Sequence, residues 1–316
     1  MTRGHFKSAT AASQLGMEPF IITVAYLLIG LALRRFPAMP DATGSVLNQF
    51  VIHVSLPALV LFRIPDLVFS SHLFVPVLLP WIMLLLSAAL VFVVSRMAGW
   101  DRATTGCLLL LVPLGNTSFL GIPMVTAFFG EQAVPYAVLY DQLGSFLAVA
   151  TYGALILALY AAGGVRPTAA GILKKVVTFP AFLALVLALA LKGWTYPAAL
   201  AGLFGALAAT LVPVVMIAVG FQLSLRLSRD DVSALGAGLG LKLVVAPLLA
   251  LLLCRVAGLD GEPVQVSIFE AGMPPMITAG ALAISANLVP RLSAALVGFG
   301  IVASFVTLPL LYRLLR

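Results

Sequence analysis

Apolar residues run through this chain in long blocks separated by short polar joints. A helix that crosses the hydrocarbon core of a bilayer needs about 20 apolar residues at a rise of about 1.5 Å each. Blocks of that kind recur ten times, at 18–36, 43–64, 73–98, 103–129, 132–161, 179–194, 197–225, 232–257, 263–287 and 290–313. The pattern predicts an all-α polytopic membrane protein of ten transmembrane helices, with residues 1–17 as an N-terminal tail. Its longest joint, 162–178, carries Arg166, Lys174 and Lys175 and reads as a linker between two halves, 18–161 and 179–316.

Each half then holds five spans, and an odd number forces the halves into opposite orientations, an inverted repeat. Leu56-Pro57-Ala58-Leu59-Val60 in span 2 is echoed 156 residues later by Val212-Pro213-Val214-Val215-Met216 in span 7. At a similar offset, the stretch from Pro113 to Pro123 in span 4 meets Glu270-Ala271-Gly272-Met273-Pro274-Pro275 in span 9. Proline removes a backbone donor and glycine tolerates unusual backbone angles. Pro113, Pro123, Pro57 and Pro213 are accordingly expected to break their helices. Each backbone group freed in lipid costs several kcal/mol unless protein or a watery cavity satisfies it. Matched interruptions in inverted halves therefore point to a binding site. A lone proline is an ordinary kink in a membrane helix. A matched pair, one bearing Asn116-Thr117-Ser118 and the other Glu270 with Pro274-Pro275, favours function.

Composition agrees. The 316 residues are 62% hydrophobic and 9% charged, with a mean hydropathy of +1.14, whereas soluble chains are about 45–50% apolar and 25% charged. The net charge of +7 is spread over joints and forms no nucleic-acid patch. Joints after odd spans hold ten Lys and Arg, and joints after even spans hold Arg63, Lys192 and Arg255. The positive-inside rule makes the linker cytoplasmic and puts both termini on the non-cytoplasmic side. Cys107 and Cys254 lie inside apolar blocks and read as packing residues. The first 16 residues are polar and lack the apolar core of a signal peptide.

Of eleven acidic residues, Asp141 in span 5 and Glu270 in span 9 sit well inside apolar sequence. A carboxylate at mid-membrane costs at least about 2.5–3.5 kcal/mol and is a functional candidate by default. Their expected role is to bind Na⁺ or to take up and release H⁺. Lys242 is the one basic residue deep within a span; it suits a structural salt bridge to either acid, or a switch released when the acid takes its cation. Asn116, Thr117 and Ser118 offer an amide and two hydroxyls for Na⁺, for a carboxylated substrate, or for capping the broken helix. Na⁺ is expected near Asn116, Thr117 and Glu270. Gly115, Met273, Pro274 and Pro275 complete the expected substrate site. Half-helix N-termini carry partial positive charge and favour an anion, so a small organic anion is the expected substrate. His53, Gln142, Gln222 and Asn287 read first as interhelical hydrogen bonders, and Gly202, Gly205, Ala206 and Ala209 as a close-packing stripe that suits a dimer seam.

The segment Asn116-Thr117-Ser118-Phe119-Leu120-Gly121-Ile122-Pro123 resembles the signature of the bacterial auxin efflux carrier family, with Ser118 where that family commonly has Gly. Leu47-Asn48-Gln49-Phe50 leading to Leu56-Pro57-Ala58-Leu59, and Glu270-Ala271-Gly272-Met273-Pro274-Pro275, are similar to that family's second and ninth helices, so the resemblance covers nearly the whole chain in order. It implies the broad architecture of bile-acid sodium symporters and sodium/proton antiporters: ten helices in a five-plus-five inverted repeat with spans 4 and 9 crossing. It also implies a scaffold of spans 1, 2, 6 and 7 that dimerises, a transport domain of spans 3–5 and 8–10, and elevator-like alternating access in a bacterial inner membrane. The bile-acid symporters bind sodium beside a ninth-helix glutamate, a role Glu270 could fill; plant auxin carriers need no ion gradient. The alternatives are a cation/proton antiporter on the same fold and, further off, an intramembrane enzyme. No Gly-x-Gly-Asp, His-Glu-x-x-His or nucleotide-binding loop occurs, so no catalytic residue, structural metal or bound cofactor is expected beyond Na⁺ or H⁺ as coupling ion.

Overall fold

The computed structural model of this chain describes residues 3–67, 71–161, 168–228 and 231–316. Its regular elements there are helices: α1 (Arg3–Leu33), α2 (Thr43–Asp66), α3 (Phe74–Ala98), α4 (Arg102–Leu111), α5 (Thr117–Phe129), α6 (Glu131–Tyr160), α7 (Ala169–Val177), α8 (Pro180–Ala190), α9 (Ala198–Gln222), α10 (Val232–Val256), α11 (Glu262–Ala271), α12 (Ile277–Ser285) and α13 (Pro290–Leu315). Large apolar side chains such as Leu78, Leu85, Met97 and Val306 are exposed on them. A soluble protein could not tolerate such surfaces, and a bilayer covers them.

Among the described residues six helices, α2, α3, α6, α9, α10 and α13, are long and apolar enough to cross a membrane alone, and α7 with α8, bent by 65°, makes a seventh if the pair is one span. The sequence pattern predicts ten. The difference arises at expected spans 1, 4 and 9, whose apolar helices are short: 18–33 within α1, α4 and α5, and α11 and α12. The ten residues of α4 reach only about 15 Å. Hydropathy could not register the divisions, because the joints at 112–116 and 272–276 are themselves buried and largely apolar. The linker expected at 162–178 is helical over α7, whose side chains are not buried. Residues 162–167, with Arg166, and Arg229 lie outside the described residues.

Three of the four prolines expected to break helices do not. Pro57, Pro123 and Pro213 lie inside α2, α5 and α9. Pro57 and Pro123 each follow by two residues a π-helical turn, Val51–Ser55 and Thr117–Gly121, and Pro247 follows Leu241–Val245 in the same way. A proline deprives the carbonyl four residues back of its donor; a π turn, bonding five residues on, hands that carbonyl to the next N–H. At Pro213 the chain has just passed a tightened turn in which the Thr210 amide bonds to the Leu207 carbonyl, 3.2 Å. The helix opens at Pro113 alone of the four.

The chain forms two compact units. The first comprises residues 1–67, 118–135 and 183–223. In it α1 and α9 pack backbone to backbone. A methyl group on Gly30 would sit 2.0 Å from the Ile217 carbonyl oxygen, and one on Gly220 would sit 2.0 Å from that of Leu27. Where lipid is as apolar as leucine, such small-residue contacts hold helices together. The Arg34 guanidinium donates to the Leu223 carbonyl, 2.6 Å, and the Ser55 and Thr210 hydroxyls share a bond of 2.7 Å.

The second unit comprises residues 68–117, 136–182 and 224–316. Its core centres on α4, whose Leu108, Leu110 and Leu111 are buried with Ala279 and Ala283 of α12 and Leu292, Ala295 and Leu296 of α13. Polar ties lock this packing. The Trp81 indole donates to the Leu143 carbonyl, 3.0 Å, the Tyr152 hydroxyl to that of Leu109, 2.7 Å, and Cys107 meets the Ser293 hydroxyl at 3.1 Å. Asp101 caps α4 by accepting from the Thr104 amide, 2.8 Å, and bonds from Thr104 hold its carboxyl below the usual range. Both cysteines are free.

The glycine contacts yield a direct expectation. Gly30→Ala and Gly220→Ala each press a methyl group into a backbone carbonyl and should cost about 1–3 kcal/mol, the usual cost of overpacking. Gly236→Ala, with open space around it, should not lower the thermal stability of the purified protein.

Candidate functional site

Between α4 and α5, and again between α11 and α12, the backbone leaves the helix for a few residues, and in the second unit these two joints meet. Gly115 and Pro275 form an antiparallel two-residue bridge. The Asn116 amide donates to the Pro274 carbonyl, 2.8 Å, and the Met276 amide to the Leu114 carbonyl, 2.9 Å. Pro113, Pro274 and Pro275 have no amide hydrogen to satisfy, so the joints carry few donors and use two of them on each other. Two broken helices thereby remain viable in apolar surroundings, where unpaired backbone groups are not tolerated.

Around the bridge lie the polar residues that the sequence singles out. Thr117 opens α5 in a π turn, Asp141 opens the π turn Asp141–Ser145 of α6, and Lys242 lies in the π turn Leu241–Val245 of α10. Such turns are rare and frequent at functional sites. Asp141 is buried; its Oδ1 accepts from the Thr117 hydroxyl, 2.6 Å, and its Oδ2 from the Gln142 amide, 2.6 Å. Lys242 is buried and donates to the Ala271 carbonyl, 3.3 Å. Neither acid makes a salt bridge with it within 4.0 Å among the described residues. A side chain on Gly115 would bring its first carbon to 3.1 Å from the Lys242 Nζ, so glycine there leaves room for the ammonium group.

Glu270, in the last turn of α11, is 0% exposed, and neither carboxyl oxygen has a hydrogen-bond partner among the described residues. Asp141 and Lys242 are the charged groups near enough to act on it. The Asn116 side-chain amide is likewise buried with its nitrogen unpartnered. Gly115, Thr117, Tyr140, Ser145, Lys242 and Glu270 line one small cavity. Its space open to the centre of a water-sized sphere is about 10 Å³, the size of one water or small ion. Two carboxyls and one ammonium held together in apolar surroundings are one positive charge short of neutrality if both acids are ionised. A proton or a monovalent cation corrects that deficit.

Of the residues expected at the site, Gly115, Asn116, Thr117, Asp141, Lys242, Glu270, Met273, Pro274 and Pro275 are brought together in the second unit. Ser118, half-buried, belongs to the first, the division falling between Thr117 and Ser118. His53 faces outward and bonds to the Gln49 carbonyl, 2.9 Å. Gln222 bonds back to Ala218 in its own helix, 3.2 Å, and Asn287 lies two residues past the end of α12 with φ of 56°. Sequence reasoning missed Tyr140 and Ser145 as cavity-lining residues, although both flank Asp141 within five positions. It also took Gln142 for interhelical glue, whereas its amide serves the neighbouring carboxylate.

The Thr117–Asp141 bond can be isolated by a double-mutant cycle. Thr117→Val strips one donor from a buried carboxylate and should cost about 1–3 kcal/mol. In an Asp141→Asn background the same change should cost clearly less, and thermal unfolding of the four proteins measures the coupling.

Comparison with known proteins reaches the same region of function. The family described as membrane transport protein matches residues 15–168 and 164–312. An uncharacterized transporter of Methanothermobacter thermautotrophicus is 30% identical over 300 residues, covering 93% of this chain and 96% of the relative. An uncharacterized transporter of Methanocaldococcus jannaschii is 24% identical over 268 residues, 82% of this chain and 85% of the relative. Matches over the whole length, together with the apolar helices and their motifs, lead to one conclusion: this multi-pass membrane protein belongs to the membrane transport protein family, the auxin efflux carrier-like family.

Proposed function

We propose that this chain is a secondary transporter of small organic anions, coupled to Na⁺ or H⁺ through Glu270, and not an enzyme. The observation that carries the reading is Glu270 itself, a fully buried carboxylate without a hydrogen-bond partner among the described residues, beside two paired helix breaks. A buried charge is costly when unpaired, so uptake of a cation or proton there favours a closed site and its release an open one. Lys242, bonded to a carbonyl and not to an acid, is free to repel the cation or to answer its arrival. The N-terminal ends of α5 and α12 begin at the crossing, and their partial positive charge favours an anionic substrate beside Asn116, Thr117 and Pro274-Pro275.

In this reading the chain crosses the membrane ten times, with α4 and α5 in series as span 4, α11 and α12 as span 9, and residues 18–33 and the bent pair α7–α8 as spans 1 and 6. The five-plus-five inverted repeat follows, with both termini outside the cytoplasm of a bacterial cell. Transport proceeds by elevator-like movement of spans 3–5 and 8–10 against a scaffold of spans 1, 2, 6 and 7. The compact units support this division in part, since α3, α4 and α10–α13 fall in one and α1, α2 and α9 in the other, although Ser118–Pro135 groups with the latter and α7 with the former. The scaffold forms a homodimer along Gly202, Ala206 and Ala209, which are exposed on α9. A cation/proton antiporter on the same fold is the second reading, favoured by the size of the cavity, which suits an ion and is too small for an organic acid.

The deciding measurement is thermal stability of the purified protein with small carboxylates and indole acids, each in Na⁺ and in K⁺, alongside Glu270→Gln. A ligand stabilises the folded state it binds by RT ln(1 + [L]/Kd). The expected result is an anion-dependent shift that requires Na⁺, or follows pH, and disappears in Glu270→Gln. An anion shift indifferent to cation, pH and the variant would reduce Glu270 to a structural residue. A cation or pH response without any anion response would establish the antiporter.

A further inference from the structure

Away from the crossing, the second unit carries a cavity of another character at the turn from α3 to α4. Its space open to the centre of a water-sized sphere is about 300 Å³, thirtyfold that beside Glu270. Ser95, Arg96, Trp100, Arg102, Thr105 and Tyr160 line it. The turn is fixed locally. Gly99 closes α3 in a left-handed conformation, φ 68°, with its amide on the Ser95 carbonyl, and the Trp100 amide reaches the same oxygen, 3.2 Å. Asp101 then caps α4. Its carboxylate is spent on the helix it starts and does not neutralise the arginines beside it.

Those arginines are the unusual feature. No carboxylate lies within 4.0 Å of either guanidinium among the described residues. Arg96 lies over the Phe92 ring at 5.1 Å, and Arg102 over that of Tyr160 at 5.9 Å while donating to the Leu159 carbonyl. Arg102 is moreover the first residue of α4, where the helix dipole disfavours a cation. Arg96, in the last turn of α3, suits that helix's dipole, but neither guanidinium meets an acid among the described residues and both still have donors to give. Ser95, lining the same cavity, is 2% exposed, and its hydroxyl has no hydrogen-bond partner among the described residues. Trp100 and Tyr160 supply the amphipathic aromatic walls that settle at the boundary between hydrocarbon and head groups. Guanidinium groups bind phosphate oxygens in bidentate fashion.

From this geometry we infer that the α3–α4 cavity binds a phosphate anion, foremost the head group of an anionic phospholipid, through Arg96, Arg102 and the Ser95 hydroxyl. The inference goes beyond the transport reading and does not depend on it. The lipid's apolar chains run along α3 beside exposed residues such as Phe92 and Met97, and its phosphate enters between the arginines.

The test uses the purified full-length protein in a neutral detergent and dioctanoyl-phosphatidylglycerol as probe, with dioctanoyl-phosphatidylcholine as the zwitterionic control, titrated calorimetrically. Phosphatidylglycerol should bind at least about tenfold more tightly than phosphatidylcholine. Arg96→Gln and Arg102→Gln should each weaken it by roughly tenfold, since each removes a charge-assisted bond to the phosphate, and the pair of changes should abolish it. Ser95→Ala, a change small enough to leave folding intact, should weaken it several-fold. Arg255→Gln, an exposed arginine at the end of α10, should do nothing. Competition by inorganic phosphate at millimolar concentration would make the free ion the ligand of the same site; its failure to compete would assign the lipid. The proposal falls if both lipids bind alike, if Arg255→Gln weakens binding as much as Arg96→Gln, or if Ser95→Ala and the double variant, shown folded by circular dichroism, bind as the parent does.

Discussion

Everything distinctive about this molecule depends on one constraint: a backbone that leaves the helix in apolar surroundings must find hydrogen bonds at once. The two joints at 112–116 and 272–276 meet that demand by bonding to each other across Gly115 and Pro275. The prolines make the arrangement economical, because they remove donors that would otherwise need partners. The pairing fixes where Asn116 and Thr117 stand, brings Glu270 at the end of α11 to the same place, and sets the room that Gly115 leaves for Lys242. A helix continuous through either joint would lose all of these together.

The second organising device is the π turn. Thr117, Asp141 and Lys242 each sit in one, so three helices widen where they contribute a polar side chain to the crossing. The same geometry absorbs a proline two residues later in α2, α5 and α10. Helix continuity and local irregularity are thus compatible. The bonds that a proline removes are shifted by one residue and not lost. Within this frame the acids are treated unequally. Asp141 accepts from Thr117 and Gln142, whereas neither oxygen of Glu270 has a hydrogen-bond partner among the described residues, beside a space for one small ion. In the proposed coupling, that inequality singles out Glu270 as the group that answers the ion.

Much of this was legible in the residues. Apolar block length identifies a membrane protein, because no other composition matches a bilayer's thickness so directly. The offset of 156 residues between Pro57 and Pro213 aligns the two interruptions, and the rarity of charge within spans selects Asp141, Lys242 and Glu270. Proline was the misleading signal. Read as a breaker, it is right at Pro113 and wrong at Pro57, Pro123 and Pro213, since what it does depends on whether the preceding turn can widen or tighten to take up the missing bond. Hydropathy could not see where α4 ends either, because the residues of the joint are as apolar as those of the helix.

The sequence by itself determined the solvent this chain folds in, the broken character of two of its helices and the identity of the buried charges, for these follow from local chemistry and from the cost of polar groups in hydrocarbon. Only the tertiary structure decided who partners whom. Gly30 and Gly220 admit carbonyls of residues about 190 positions away, the Thr117 hydroxyl reaches Asp141, and Lys242 donates to the Ala271 carbonyl. Such pairings are set by which surfaces come within 3 Å of each other. That distance depends on how all the helices pack at once, and no window of sequence contains it.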